Sequence, residues 1–415
     1  MQLTQKIRIS PDSVQEEILW ILSEKCRLVY NFALSERINM WRDKGESVKY
    51  STQQNNLPKI KEAYPEYKWV YSKVLQYALR TLDADYRSFF SLWKKGHTDA
   101  RPPKFKGKKY FTTMVYNQSG FDFKDGYVTL SHKYNEVPLR FQIPKQFKFN
   151  KVYQVTIFQD EGKFFISVVY DKEVAEYVDN GKYQAFDLGI TKHTAVNSSG
   201  EFIEFKNERP DKYWQNKIQD IQSRRDHCKK GSIRWRILNN NLIFMKKKCA
   251  NQIKDFQHKL SSKIIKNTKS NTIIVGDLSP KEMVAKRVGK PKHNGIKGLN
   301  RAIQNTGTLG RFVGFLTYKA EVAGKRVIEI NERNTSKQCC ACGLKHDMPL
   351  YKRTMVCGCG NSIDRDRNSS VNIMVRFLSQ NAMWTGFQQF AGKMRQTGLS
   401  IEGRYSHEAP CESWG

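Results

Sequence analysis

Residues 335–367, TSKQCCACGLKHDMPLYKRTMVCGCGNSIDRDR, constrain this chain more than any other stretch. Cys339 and Cys342 form a CxxC pair, and Cys357 and Cys359 a CxC pair, with a basic segment between them long enough for a β-hairpin. Four thiolates at this spacing suit one tetrahedral structural Zn²⁺, a site without an open coordination position and so without chemistry of its own. Cys340 leaves the ligand set open at one place, because Cys340 and Cys342 would mirror the CxC of the second pair; His346 is a further substitute. Asp364 and Asp366 follow within a few residues, so a thiolate-clamped knuckle leads directly into carboxylates suited to a harder, oxygen-seeking cation.

Charge narrows the partner. The 415 residues carry 71 Lys and Arg against 40 Asp and Glu, a formal net charge of +31 at pH 7. Such an excess repels itself in a lone compact protein and is better explained by a polyanion contacted over an extended surface. No run approaches about 18 consecutive apolar residues, and the N-terminal MQLTQKIRIS lacks the apolar core of a signal peptide. The expected polyanion is therefore nucleic acid rather than a membrane, in a reducing cytosol. Five of the nine cysteines fall between 339 and 359, which in that compartment favours zinc over disulfides. Basic residues interleave with rings at Lys104, Lys106, Lys108 and Lys109, beside Phe105 and Tyr110. They do so again at Arg224, Arg225, Lys229, Lys230, Arg234 and Arg236, around Trp235, and Lys246, Lys247 and Lys248 add a third run. Each run alone is an ordinary solvated face; together they suit a groove that follows phosphates and stacks bases.

The patterning divides the chain. Residues 1–9 alternate as a strand does, Pro11-Asp12-Ser13 offers a helix start, and Ile18, Leu22, Cys26, Val29 and Ala33 follow at helical spacing. Helical pattern continues to about Lys95, then a basic Pro/Gly-rich connector, then strands to 172, among them KVYQVTIFQ and KFFISVVYDK around an Asp160-Glu161-Gly162 hairpin signal. From 180, three short strands precede a basic helical stretch, the strand TIIVGD, a Lys/Gly-rich loop over 281–300, a helix, the strand RVIEIN, the cysteine knuckle and a last helix from Asp366. Three antiparallel strands followed by two crossovers predict an RNase H-like mixed sheet. Asp187 ends its first strand and Asp366 opens its last helix. Cleavage of phosphodiesters with two divalent ions about 4 Å apart needs such converging carboxylates.

The chain resembles the transposon-encoded TnpB-type RNA-guided nucleases, the insertion-sequence OrfB family related to miniature type V CRISPR effectors. MQLTQKIRI, CRLVYNFAL, PPKFK, AFDLGITK, GRFVGFLTYKAEVAG, TSKQCCACG and CGNSIDRDRN carry the likeness, in that order along nearly the whole chain. The resemblance implies a multidomain α/β protein. A wedge β-barrel would occupy residues 1–10 and 102–177 and carry a helical recognition insert over 11–101. A RuvC-like nuclease domain would span 178–337 and 361–381, interrupted by a zinc-binding target-nucleic-acid-binding hairpin over 338–360. A polar, flexible tail would cover 382–415. It also implies a guide RNA from the transposon end, double-stranded target DNA beside a short flanking motif, two Mg²⁺ or Mn²⁺ ions and one structural Zn²⁺. The working oligomeric state stays open, with a monomer preferred.

By position in the family pattern, Asp187 and Asp366 are catalytic metal ligands, with Asp364 as the fallback for Asp366. The middle residue departs. Where the commonest form of the family has Glu-Asp-Leu, this chain reads Gly276-Asp277-Leu278. Either the site is dead, leaving an RNA-guided DNA-binding repressor, or the carboxylate has moved. Glu332, at the end of the next strand where commoner relatives have proline, is the expected replacement, since neighbouring strands lie about 4.8 Å apart. Retention of both aspartates favours relocation; Asp277 and Glu282 are weaker substitutes. A transposase acting on its element's own ends is a third reading.

Overall fold

The computed structural model describes residues 1–117, 119–277, 309–349 and 351–405. The loop expected over 281–300, with Glu282, lies outside them. The chain forms two compact units divided after Glu173.

In the first unit, β1 (Gln2–Ile9) is an outer strand of a four-stranded antiparallel sheet with β7 (Lys163–Asp171), β6 (Val152–Asp160) and β2 (Met114–Asn117), in the order β1-β7-β6-β2. The β6–β7 hairpin turns on Glu161 and Gly162, both at positive φ (51° and 73°), the backbone that a two-residue turn of matching twist requires. A separate antiparallel sheet joins β3 (Phe121–Lys124), β4 (Tyr127–Leu130) and β5 (Leu139–Gln142). Hydrogen bonding among the described residues thus makes two sheets rather than one closed barrel. Between β1 and β2 runs the helical insert. Its first helix, α1 (Ser13–Lys44), opens on a capping box in which Asp12 accepts from Gln15 N–H and Gln15 from Asp12 N–H, and stops at Gly45 (φ 68°). The stripe Ile18, Leu22, Cys26, Val29 and Ala33 is buried as its spacing predicts, with Val74, Leu75, Ala78, Leu79 and Leu82 of α4 (Ser72–Lys94) in the same core. The short α2 (Tyr50–Asn55) and α3 (Leu57–Ala63) lie between.

The second unit is built on a five-stranded mixed sheet in the order β10-β9-β8-β11-β12. β8 (Tyr183–Leu188), β9 (Lys192–Asn197) and β10 (Phe202–Lys206) form an antiparallel meander; β11 (Thr272–Gly276) pairs parallel to β8, and β12 (Arg326–Ile330) parallel to β11. This is the predicted order of three antiparallel strands and two crossovers. A helical hairpin of α5 (Pro210–Asp226) and α6 (Ile233–Asn267) fills the first crossover, and α7 (Leu309–Val322) precedes β12. One sheet face packs Phe186, Leu188, Ile273 and Val275 against Leu260, Ile264, Phe312 and Leu316 of α6 and α7. The other packs Ala185, Val196, Ile274 and Ile330 against Val371, Met374, Val375 and Leu378 of α8 (Arg365–Gln380). Full burial of each such side chain contributes about 1.5–3 kcal/mol.

The expected flexible tail is not one over its described residues, 382–405. Residues 384–396 form α9 (Trp384–Gln396), and Phe387, Phe390, Met394, Leu399 and Ile401 are buried in the α8 core. The apolar residues recur every three or four positions among polar ones, so the stretch looks polar on average while one face is hydrophobic. No helix among the described residues is long and apolar enough to cross a membrane.

Candidate active site

Alternation along the strands decides which side chains meet. In β8, Phe186 and Leu188 face α6 and α7, while Tyr183 and Ala185 face α8. Asp187 therefore emerges towards α8, where the nearby Ser369 hydroxyl favours its charged form. On β11 and β12, Ile274 and Ile330 belong to the same α8-facing cluster as Ala185. Gly276 and Glu332, each two residues further on, come out on that face at the carboxyl ends of these strands. Asp366 enters from the first turn of α8.

Glu332 lies over Gly276. A Cβ added at Gly276 would collide with Glu332 Oε2 and sit 2.8 Å from both its Cβ and Cδ. The glutamate side chain thus uses the space that a side chain at 276 would need. Asp277 N–H donates to Ile330 O at 2.6 Å, holding the two strand ends together.

The electrostatics are those of crowded, half-buried acids. Burial, then the charges of Asp366 and Glu332, pushes the Asp187 carboxyl up to about 8. Burial and Asp277 push Glu332 up to about 7. Asp366 is raised by burial and by Asp364, against the nearby cations Lys192, Arg353 and Arg365. Such a group of carboxyls resists ionisation until a cation joins it.

Asp364 and Asp366 play different parts. Asp364 is the N-cap of α8, its Oδ1 accepting from the backbone N–H groups of Asp366 (2.9 Å) and Arg367 (3.2 Å). That leaves Asp366 as the member of the pair turned to Asp187. Sequence reasoning missed Lys192, whose Nζ lies 3.2 Å from Glu204 Oε1, 3.5 Å from Asp364 Oδ1 and 3.9 Å from Asp366 Oδ2. Its signal was available: Thr194 pairs with Asp187, and Lys192 is two residues away on the same face. It missed Asn368 and Asn372 too, although four-residue spacing sets both amides on one helical face.

The knuckle closes around Cys339, Cys342, Cys357 and Cys359, whose sulfurs all lie within 4.8 Å of one another. Cys339 Sγ is 3.8 Å from Cys359 Sγ, and Cys342 Sγ is 3.5 Å from Cys357 Sγ. Among the described residues this is the one group of three or more metal-type donors so tightly drawn, so the carboxylates stand further apart. Burial opposes ionisation of Cys339, but the Cys342 backbone N–H and the Asn361 amide outweigh it and bring the thiol down to about 7. Cys340 turns inward, fully buried, with burial and then the Cys339 charge driving its thiol up to about 12. Neither Cys340 nor His346 joins the quartet.

The basic runs divide in two. Lys104, Lys108 and Lys109 are exposed in the first unit. Lys106 is an anchor instead: its Nζ lies 3.8 Å from the Tyr30 ring centre, and its carbonyl accepts from Arg27 (2.7 Å) and Asn31 (2.9 Å). On the α5–α6 hairpin, Arg224, Lys229, Lys230, Arg234, Arg236, Lys246 and Lys248 are exposed, while Lys247 is partly buried and Arg225 is tied to Asp226 and Asn239.

Three family models match the chain: "Helix-turn-helix domain" over residues 1–46, "Probable transposase" over 167–287, and "Cas12f1-like, TNB domain" over 310–373. Within 1–46 the structure holds one strand and one long helix, so the first name does not describe the local fold. The "Putative RNA-guided DNA endonuclease InsQ" of Escherichia coli (strain K12) is 26% identical over 353 residues, covering 81% of this chain and 82% of that protein. The "TnpB-like protein L79" of Acanthamoeba polyphaga mimivirus is 29% identical over 143 residues, 34% of this chain and 26% of that one. Among solved structures, the protein in "Cryo-EM structure of the Cas12f1-sgRNA-target DNA complex" shares the fold with a TM-score of 0.56 at 11% identity, over 90% of this chain and 98% of that one. With the ordered motifs and the mixed sheet, these matches make the chain similar to the TnpB-type, OrfB-related proteins.

Proposed function

We propose that this chain is an RNA-guided DNA endonuclease that hydrolyses target phosphodiesters at Asp187, Glu332 and Asp366. The reciprocal fit of Gly276 and Glu332 carries the reading. A carboxylate turned over a backbone position that lacks a side chain, beside two half-buried aspartates, is what a relocated ligand requires. A surface charge just past a strand has no such need. The strand order and directions support an RNase H-like, RuvC-type domain around these residues.

The donor set suits Mg²⁺ or Mn²⁺: three carboxylates, two of them driven towards neutral pH by burial and neighbouring acids, a cost that a hard divalent cation relieves. Such ions, held by these carboxylates, would activate water and stabilise the leaving oxygen. The chain's own residues do the positioning. Asp187 stands on the central strand of the sheet; Glu332 approaches from two strands away and Asp366 from the helix above. Asp364 fixes the first turn of α8 and with it the direction of Asp366. Lys192 offsets the charge of Glu204 and Asp364 at the rim. The cysteine quartet suits a structural Zn²⁺ that stiffens the 338–360 hairpin for target contact.

The net charge of +31 and the E. coli relative's name support RNA and DNA as partners. A transposon-end guide, a flanking motif beside the cut, and wedge and recognition roles for the first unit belong to the same proposal. The test is cleavage of matched DNA by the purified chain with its copurifying RNA and Mg²⁺. Wild type should cut, and Glu332→Ala should lose about a thousandfold or more in rate while still binding target. Intact binding without cutting by wild type moves the function to RNA-guided repression.

A further inference from the structure

The segment that carries Glu332 at one end and Cys339 at the other is fastened to α8 by buried polar groups. Asn368 Nδ2 donates to Thr335 O (3.2 Å) and Gln338 O (2.8 Å), and Asn372 Nδ2 donates to the same two carbonyls (2.8 and 2.7 Å). Asn368 Oδ1 accepts from Cys340 N–H at 2.8 Å. Ser369 Oγ meets Thr335 Oγ1 at 2.9 Å, and Thr335 Oγ1 donates to Glu332 O at 2.9 Å. Arg376 Nη1 donates to Asn331 O (2.6 Å) and Arg333 O (3.2 Å). From the C-terminal segment, Arg404 Nη2 donates to Asn372 Oδ1 at 3.1 Å, and the same guanidinium backs the knuckle turn at Gly343 (φ 82°), where a Cβ would lie 2.5 Å from Nη1. Asn368, Ser369, Asn372 and Arg404 are all at most 1% exposed.

A buried network of this kind has no half-formed state of comparable energy, because each broken link strands a polar group away from water. Loss of the knuckle's fold removes the Cys340 and Gly343 contacts and loosens the support of the 331–340 segment. Glu332 sits on that segment.

We propose that this network links zinc occupancy of the cysteine quartet to divalent-metal binding at the carboxylates, with Asn368, Asn372 and Arg404 as positioning residues. The inference rests on the reading of Asp187, Glu332 and Asp366 as ligands. Linkage is reciprocal: each metal tightens the binding of the other.

The probe is Mn²⁺, measured by the electron paramagnetic resonance of the free ion. The quantity is the Mn²⁺ bound by the full chain in excess of its Asp187→Asn variant, which cancels ions held by RNA. Stripping zinc with phenanthroline should weaken this specific Mn²⁺ binding about tenfold or more. Asn372→Leu, with zinc retained, should weaken it likewise and release zinc to chelator faster than wild type. Equal Mn²⁺ affinity with and without zinc in wild type overturns the linkage, and this comparison needs no variant that might misfold. If the full chain and Asp187→Asn bind Mn²⁺ alike, the carboxylate reading fails and the linkage falls with it.

Discussion

The cysteine quartet and the carboxylate cluster are both candidate metal centres, built in opposite ways. The four cysteines fall within 21 consecutive residues, 339–359, and their sulfurs converge within 4.8 Å. The three carboxylates come from residues 187, 332 and 366, and they share a neighbourhood only because two parallel crossovers bring separate strand ends beside α8. A local site depends on a short loop and its metal. A topological site depends on the whole sheet, so it is exposed to single changes far from any ligand in sequence.

The largest effect expected from this contrast is at Gly276. Gly276→Ala removes no ligand, yet its methyl group takes the space of Glu332. Cleavage should fall about a hundredfold, close to 3 kcal/mol of barrier, with zinc content and target binding unchanged. A fully active Gly276→Ala variant would show that Glu332 works from another position. At the knuckle the damage should follow the ligand set. Cys339→Ser should lose the zinc, seen by metal analysis, whereas Cys340→Ser should keep it and lose only about 1–3 kcal/mol from burying a hydroxyl in place of the thiol. Zinc loss from Cys340→Ser instead would redraw the quartet.

The smallest effect concerns pH. Asp187 and Glu332 titrate in the folded chain above their ordinary carboxylate values, at about 8 and about 7. Between their unfolded and folded values the native state holds more protons than the unfolded one, so stability falls as pH rises. In buffer without added divalent ions, thermal stability should decline from about pH 4.5 to about pH 8, by about 1–3 kcal/mol in all, and Asp187→Asn should flatten most of the slope. Mg²⁺ should flatten it too. A stability that rises over this range would contradict the burial of these groups.

How much was legible follows the same division. The quartet could be read from spacing, and the strand order from hydrophobic patterning, because both signals are local. The absence of glutamate at 276 was visible and pointed to Glu332, but only the structure shows that the two positions compete for one volume. Choosing between Asp364 and Asp366 needed the helix start, since a carboxylate before a helix serves equally as cap or ligand until its hydrogen bonds are known. The tail was misjudged because its average polarity hides an apolar face, and the role of Arg404 depends on a long-range contact with Asn372. Lys106 looked like a phosphate contact because sequence gives charge without showing what a long side chain rests on.

The Gly276–Glu332 exchange has a consequence for the routes by which such a chain can change. On the proposed reading of Glu332 as a ligand, the two positions are epistatic. Glutamate at 276 with glutamate at 332 crowds two side chains into one space, and a chain with neither lacks its third carboxylate. Stepwise substitution between the commoner arrangement and this one passes through an impaired intermediate in either order, so each arrangement tends to hold its lineage in place.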